Sequence, residues 1–382
     1  MTGFFTAPRI AWGPGAIEQL SGLGARRAVV VVDPTVARAG GHRRVVEELA
    51  KSGTTVEVID DVAALDRRDE LDRLAARVRG AGADWVVAVG GGRTIDAAKA
   101  ARFAAEQREV AWESITPLLE LPDPPRMRCA AVPTTSGSGS EATGSVDLWA
   151  PDGAPAEIAH RSLTPDWALV DPAFAEGLPA ELVLDGAFES LAQALEAYLS
   201  AWANPFSDAL AVDAVVTVLD RLPHALRWSD DPEARAALHY AATAAGLAAS
   251  NAQRGVAHAL ARALMPSTGL SYGRLLGILL PHVLEFDRPS ARDRIEVLSR
   301  AVGRAEERAP APLAARLARL GETFRFPGSL GAAGIDRPRL DAARPAIVAN
   351  ALRSPAVLAN PRVPAAADLE RLLEAAFGRA AP

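Results

Sequence analysis

Pro133-Thr134-Thr135-Ser136-Gly137-Ser138-Gly139-Ser140-Glu141 follows directly on an apolar run, Cys129-Ala130-Ala131-Val132. Every residue before the closing carboxylate is small or hydroxylated. A buried strand that empties into such a loop offers backbone N–H groups and hydroxyls to a phosphate or a ribose. Upstream, Trp85-Val86-Val87-Ala88-Val89 runs in the same way into Gly90-Gly91-Gly92, and Thr94 to Ala105 then reads as a helix. Glycine lets the backbone approach a pyrophosphate closely, and the helix N-terminus beyond it favours negative charge. The pattern is not the usual Gly-x-Gly-x-x-Gly fingerprint. Two strand-to-loop transitions of this kind nevertheless predict a nucleotide cofactor.

Outward from these loops, Ala28-Val29-Val30-Val31-Val32 is a short, β-branched, wholly apolar run, the mark of a strand buried on both faces. Thr55-Val56-Glu57-Val58-Ile59 reads as a further strand. Glu70 to Val78 has helical spacing, with Leu71, Leu74, Ala75 and Val78 on one face. Such alternation implies a Rossmann-like parallel sheet with helices on both faces, and cofactors bind outside the carboxyl ends of its strands. After Asp171-Pro172 the pattern turns helical, over Ala187 to Ala201, Asp208 to Leu219, Pro232 to Leu247 and Pro312 to Leu320. The expected organisation is an α/β dinucleotide-binding domain over 1–171 and an all-helical domain, carrying the catalytic site, over 172–382.

The cofactor-binding candidates are Gly90, Gly91, Gly92, Arg93, Asp96, Thr134, Thr135 and Ser138, with Asp33 at the end of the strand Ala28–Val32. Asp33 either accepts hydrogen bonds from adenosine ribose hydroxyls or is a solvated strand-end aspartate. In the first role it would repel a 2′-phosphate, which favours NAD over NADP. Arg93 either approaches a phosphate or faces solvent. Asp96 and Lys99 lie three apart on one helix face and can pair.

The chain has 382 residues, 49% of them hydrophobic, and a formal net charge of −6. That charge argues against a nucleic-acid or polybasic membrane partner. No apolar run reaches the length of a membrane span, and the N-terminus lacks the basic and apolar regions of a signal peptide. Cys129 is the single cysteine, so no disulfide forms within one chain, and a cytoplasmic location fits. Lysine occurs only at Lys51 and Lys99, so any lysine chemistry must use one of them.

Gly90-Gly91-Gly92 with Asp96 and Lys99 resembles G-G-G-S-x-x-D-x-x-K, and Pro133 to Glu141 resembles P-T-T-x-G-T-G-S-E. Both are signatures of the iron-containing (group III) alcohol dehydrogenase superfamily. Pro8–Ala16, Pro165–Pro172, Ala194-Leu195-Glu196-Ala197-Tyr198 and Leu279-Leu280-Pro281-His282-Val283 are similar to that family in the same order, over essentially the whole chain. The resemblance implies the family's two-domain fold, a nicotinamide cofactor and a homodimer. It also implies a divalent metal held by one aspartate and three histidines. Those four positions fall on Glu189, Gln193, His258 and Tyr272, and a further family histidine falls on Arg262. An uncharged amide is a poor ligand, and a phenol must lose a proton to compete. The expectation is therefore a divergent member with a degraded metal site. A lysine that the family places after the second loop is absent, and Arg161 is a candidate substitute.

The reading that follows is an NAD(P)-dependent oxidoreductase transferring hydride between the cofactor and an alcohol or carbonyl, without a catalytic metal. His258 and Tyr272 would supply acid/base and oxyanion chemistry. Arg262 would lower the phenol's pKa or bind an anionic substrate group, and Glu189 would orient His258 or hold a substrate amino group. The arginine- and alanine-rich composition suggests a tailoring step on a small molecule or peptide in natural-product biosynthesis, with a possible pathway partner enzyme. Two other classes stay open: an NAD-using lyase of dehydroquinate synthase type, and a catalytically reduced NAD-binding subunit of a complex.

Overall fold

A computed structural model describes residues 4–61, 67–121, 123–150, 153–227, 231–303 and 312–378. The described residues form eight strands: β1 (Arg9–Trp12), β2 (Arg27–Val32), β3 (Thr55–Ile59), β4 (Trp85–Gly90), β5 (Arg128–Pro133), β6 (Ser145–Trp149), β7 (Pro155–Ala159) and β8 (Trp167–Val170). Six form one parallel sheet in the order β1-β8-β5-β4-β2-β3. The β-branched runs of β2 and β4 form adjacent interior strands, buried on both faces. Val29, Val31, Val86 and Ala88 face one core, and Ala28, Val30, Val87 and Val89 face the other. β6 and β7 stand apart as an antiparallel hairpin. β1, β8 and this hairpin are additions to the strands that the apolar runs predict.

Helices α1 (Pro34–Arg38), α2 (Arg43–Lys51), α3 (Arg68–Gly80) and α4 (Gly92–Glu106) connect the sheet. Among the described residues no strand follows Val170. There the chain forms α5 (Ala180–Leu199), α6 (Pro205–Arg227), α7 (Pro232–Ala252), α8 (Val256–Thr268) and α9 (Tyr272–Ala301). It ends in α10 (Leu313–Thr323), α11 (Arg337–Arg353), α12 (Ala356–Ala359) and α13 (Ala366–Phe377). These helices bury a separate core of Leu, Val, Ile, Phe and Ala. None of the described helices is long and apolar enough to cross a membrane.

The carboxyl ends of β2, β4 and β5 meet at one edge. Gly90 pairs with Pro133, Asp33 donates its N–H to Val89 O, and Thr134 donates its N–H to Gly90 O. Beyond β5 the chain is pressed onto the helices. A Cβ on Gly137 would lie 2.8 Å from Gly186 Cα on α5. One on Gly139, where φ is +59°, would lie 2.5 Å from Ala242 O and 2.7 Å from Gly246 Cα on α7. These glycines serve backbone-to-backbone packing, a use distinct from approach to a phosphate. Gly139→Ala must move backbone as well as hold a left-handed φ, so it is expected to lower stability by about 1–3 kcal/mol. An unchanged urea midpoint would contradict this.

Candidate active site

A cavity of about 350 Å³ is lined jointly by the two Gly-containing loops, the β6–β7 hairpin and the helices. Gly92, Arg93, Thr135 and Ser138 form one wall; Glu189, Gln193, Arg262 and Tyr272 form the other. α4 begins at this wall with Gly91 as its N-cap, and no side chain caps it. Its first turn therefore presents uncapped N–H groups and the positive end of a 15-residue helix. A Cβ on Gly92 would lie 2.6 Å from Ser138 Oγ, and one on Gly91 3.2 Å from Thr135 Oγ1. The two loops are thus in contact, and the cradle suits a pyrophosphate. Gly90, Gly91 and Thr134 lie behind the cavity wall. Asp33 commits Oδ1 to capping α1, accepting from Thr35 N at 2.7 Å and Val36 N at 3.3 Å.

Lys99 holds the loops together. Its side chain is 0% exposed. Nζ donates to Asp96 Oδ1 at 2.9 Å, Thr143 Oγ1 at 3.0 Å, Ser140 O at 3.1 Å and Ser145 O at 2.6 Å. Asp96 also accepts from Ser140 Oγ and from Asp147 N. Asp96 thus pairs with Lys99, as their spacing predicts, and burial raises its carboxyl above the ordinary range. It borders the cavity as part of this hub.

On the facing wall Gln193 Nε2 donates to Gly137 O at 3.0 Å and Ser138 O at 2.8 Å, so it clamps the loop. Glu189 has no hydrogen-bond partner among the described residues. Burial pushes its carboxyl up to about 8, with nearby Arg254 opposing and Asp147, Asp96 and Asp185 reinforcing the rise. Glu189 does not orient His258. That role belongs to Glu196, one residue of a quoted motif, which the chemistry of the sequence left unassigned. Its carboxylate accepts from Gly255 N at 2.9 Å, from Ala257 N at 2.5 Å and from His258 Nδ1. His258 is buried behind the cavity wall, its Nε2 without a partner among the described residues. Burial lowers its pKa; Glu196 opposes, and Arg254 and Arg262 reinforce the fall. Tyr272 packs edge-on to His258, ring centroids 5.7 Å apart, and donates its hydroxyl to His258 O at 3.3 Å. Arg262 acts on this phenol in the expected direction, but not strongly enough to set its net shift: burial outweighs it, and the pKa moves upward.

Asp147 and Glu157 are the residues that sequence reasoning missed. They face each other across the β6–β7 pair. Arg262 reaches Asp147 Oδ1 at 2.5 Å and Glu157 Oε2 at 2.9 Å. Arg254, just before α8, reaches Glu157 Oε1 at 2.8 Å and Asp147 Oδ2 at 3.4 Å. Burial alone would raise Glu157, but the two guanidiniums hold it down to about 2. The alternation of Ser145-Val146-Asp147-Leu148-Trp149 before a Gly153 turn is the signal that could have found the hairpin. Arg161 lines a neighbouring cavity of about 210 Å³ that shares Gln193 and Arg254 with the first.

Residues 7–172 match the family model described as iron-containing alcohol dehydrogenase, and residues 183–377 match that of the Fe-containing alcohol dehydrogenase family, C-terminal. The chain belongs to the iron-containing alcohol dehydrogenase family. It is 28% identical over 380 residues to an NADPH-dependent butanol dehydrogenase of Clostridium saccharobutylicum, covering 98% of this chain and 97% of the relative. It is 25% identical over 389 residues to an NAD-dependent methanol dehydrogenase of Bacillus methanolicus, covering 99% and 100%. The solved iron-containing alcohol dehydrogenase of Thermococcus thioreducens superposes with a TM-score of 0.89 at 28% identity, covering 99% and 100%.

The iron of the family name does not fit the donors present. Among the described residues no group of three or more His, Cys, Asp or Glu side chains is placed to hold a metal ion. Tyr272 is held in its phenol form and Glu189 resists ionisation. The Gln193 amide is committed to the loop through its nitrogen. Burial, reinforced by the two nearby guanidiniums, lowers the affinity of His258 for a proton.

Proposed function

We propose that this family member is an oxidoreductase that interconverts an alcohol and a carbonyl compound with a nicotinamide dinucleotide, side chains rather than a metal handling the proton. The observation that carries this reading is Glu189. It lines the cavity with its carboxylate beside Gly137 of the second loop, has no hydrogen-bond partner among the described residues, and has its carboxyl pushed up to about 8 by burial, within reach of the pH where a general acid/base is effective. The nicotinamide, when bound, supplies the two-electron chemistry by taking or giving hydride. Glu189 takes the hydroxyl proton during alcohol oxidation and returns it during carbonyl reduction. Tyr272 keeps its own proton across the working range and shapes the wall beside it. His258 supports Tyr272 from behind through its backbone carbonyl. Gln193, Lys99 and the close glycine contacts hold both loops against the helices that carry Glu189.

The α4 N-terminus, with Thr135 and Ser138, is the pyrophosphate cradle. Asp33 follows β2 and caps α1 through Oδ1, and a carboxylate at that strand end favours NAD over a 2′-phosphorylated cofactor. The test is formation of NADH from NAD⁺ and a panel of primary alcohols, followed by its near-ultraviolet absorbance. Cofactor binding with no turnover on any alcohol or aldehyde would overturn the reading in favour of a non-catalytic subunit. Chelator treatment is expected to leave the rate unchanged, with far less than one metal ion per chain by elemental analysis. Stoichiometric metal together with chelator-sensitive turnover would overturn the metal-free mechanism.

A further inference from the structure

Oxidising an alcohol places negative charge on its oxygen, and some group must receive that charge. The cavity offers few donors for it. Tyr272 gives its proton to His258 O, and the Gln193 amide hydrogens go to Gly137 O and Ser138 O. Arg254 is engaged with Asp147, Glu157 and Ser145. Arg262 differs. Its two terminal nitrogens are each pinned by one carboxylate, while its Nε–H has no partner among the described residues and its side chain is only 7% exposed.

The hairpin that pins it is unusual in its own right. Asp147 and Glu157 stand directly opposite on antiparallel strands, an arrangement that like charges disfavour. It is stable here because two guanidiniums lie against both carboxylates. The quartet of two arginines and two acids is neutral overall. It therefore adds no net charge to the cavity wall, and it fixes the Arg262 guanidinium in position before any substrate arrives. Such preorganised donors act strongly in a site shielded from water. Arg262 also lies one helical turn beyond His258 on α8, so both project from the same face.

We propose that the guanidinium of Arg262, fixed by Asp147 and Glu157, is the hydrogen-bond donor to the reacting oxygen of the alcohol or carbonyl, in place of a metal ion. This rests on the oxidoreductase reading above. In oxidation the O–H proton passes to the Glu189 carboxylate, the carbinol hydrogen leaves with its electron pair to the nicotinamide dinucleotide, and the oxygen becomes a carbonyl while hydrogen-bonded to Arg262. Reduction runs the same exchange in reverse. Arg262 lines the cavity, and the assignment requires its unpartnered Nε–H to turn toward the bound oxygen from within the pair of carboxylates.

The experiment compares wild type with Arg262→Gln, Arg262→Lys and the charge-balanced double variant Arg262→Gln/Asp147→Asn. Circular dichroism melts establish that each is folded. NADH binding is titrated first, and then isobutyramide, whose carbonyl oxygen mimics an aldehyde, is titrated in the presence of NADH. In the glutamine variants kcat is expected to fall about 100-fold. Isobutyramide affinity should fall about 10-fold or more with NADH affinity unchanged. Arg262→Lys should recover part of both losses. Unchanged kcat or unchanged isobutyramide affinity in a folded glutamine variant overturns the assignment, and the double variant decides the matter if the single one fails to fold. Wild-type protein that neither binds NADH nor turns over would instead overturn the reading on which the assignment rests.

Discussion

Glu189→Gln is expected to lower kcat by a factor of about 10²–10⁴ while NAD binding persists. The amide keeps the size and polarity of the carboxyl group but cannot take or return a proton. The pH dependence of wild type fixes the sign. Burial lifts the carboxyl from 4.5 to about 8. Alcohol oxidation needs the carboxylate, so its rate should rise through about pH 8 and then level. Carbonyl reduction needs the acid form, so its rate should fall across the same interval. Stability runs the other way from oxidation. Because the folded pKa lies above the unfolded one, the folded state binds the proton more tightly. That contribution is complete below the unfolded pKa, declines as pH rises and is gone above about 8. Glutamine carries no such dependence. Glu189→Gln should therefore melt higher than wild type at about pH 9, yet be nearly inactive at every pH. A merely structural Glu189 would give the opposite pairing, with activity kept and stability lost. Retained turnover with an unshifted pH profile would remove Glu189 from the mechanism.

The contrast between Glu189 and Glu196 shows where sequence stops being informative. Both lie on α5, seven residues apart and so on the same face, and either could reach residue 258 by spacing alone. Only the placement of α8 decides that Glu196 takes Gly255 N, Ala257 N and His258. The strands at Ala28–Val32 and Trp85–Val89 were legible because burial on both faces demands unbroken β-branched runs. The β6–β7 hairpin was not, since its strands are five residues each and half-polar, and their partners Arg254 and Arg262 lie about a hundred residues on. The two glycine loops were legible as strand-to-loop turns, but the reason for Gly137 and Gly139 was not. Contact with Gly186 and Gly246 belongs to tertiary packing. A natural-product substrate rested on arginine and alanine content, which no side chain of the cavity encodes.

Lys99→Met is expected to cost about 3–5 kcal/mol of stability, the range for breaking a buried ion pair by removing one partner. The ammonium is wholly buried, and methionine can fill its volume but satisfies none of its four acceptor residues. Asp96 suffers most. Its carboxyl is already raised by burial, and Lys99 is the chief influence holding it down. Without Lys99 it must either stay charged without a cation or take up a proton. Ser140 and Ser145, which bracket the turn from the second loop into β6, lose their common anchor at the same time. The consequence should therefore reach function. Cofactor affinity should fall with stability, because the cradle at Gly92 is held against Ser138 by this hub. Urea unfolding and NADH titration of the same preparation measure the two effects. Lys99→Met/Asp96→Leu provides the internal control. Removing both partners leaves no uncompensated charge, so this double variant should unfold at a higher urea concentration than Lys99→Met alone. It should still bind NADH weakly, since the hydroxyl and carbonyl groups of the loop remain untethered. A single variant as stable as wild type would mean that the loops are held by glycine packing and Gln193 alone, and that Lys99 is dispensable to both fold and cofactor.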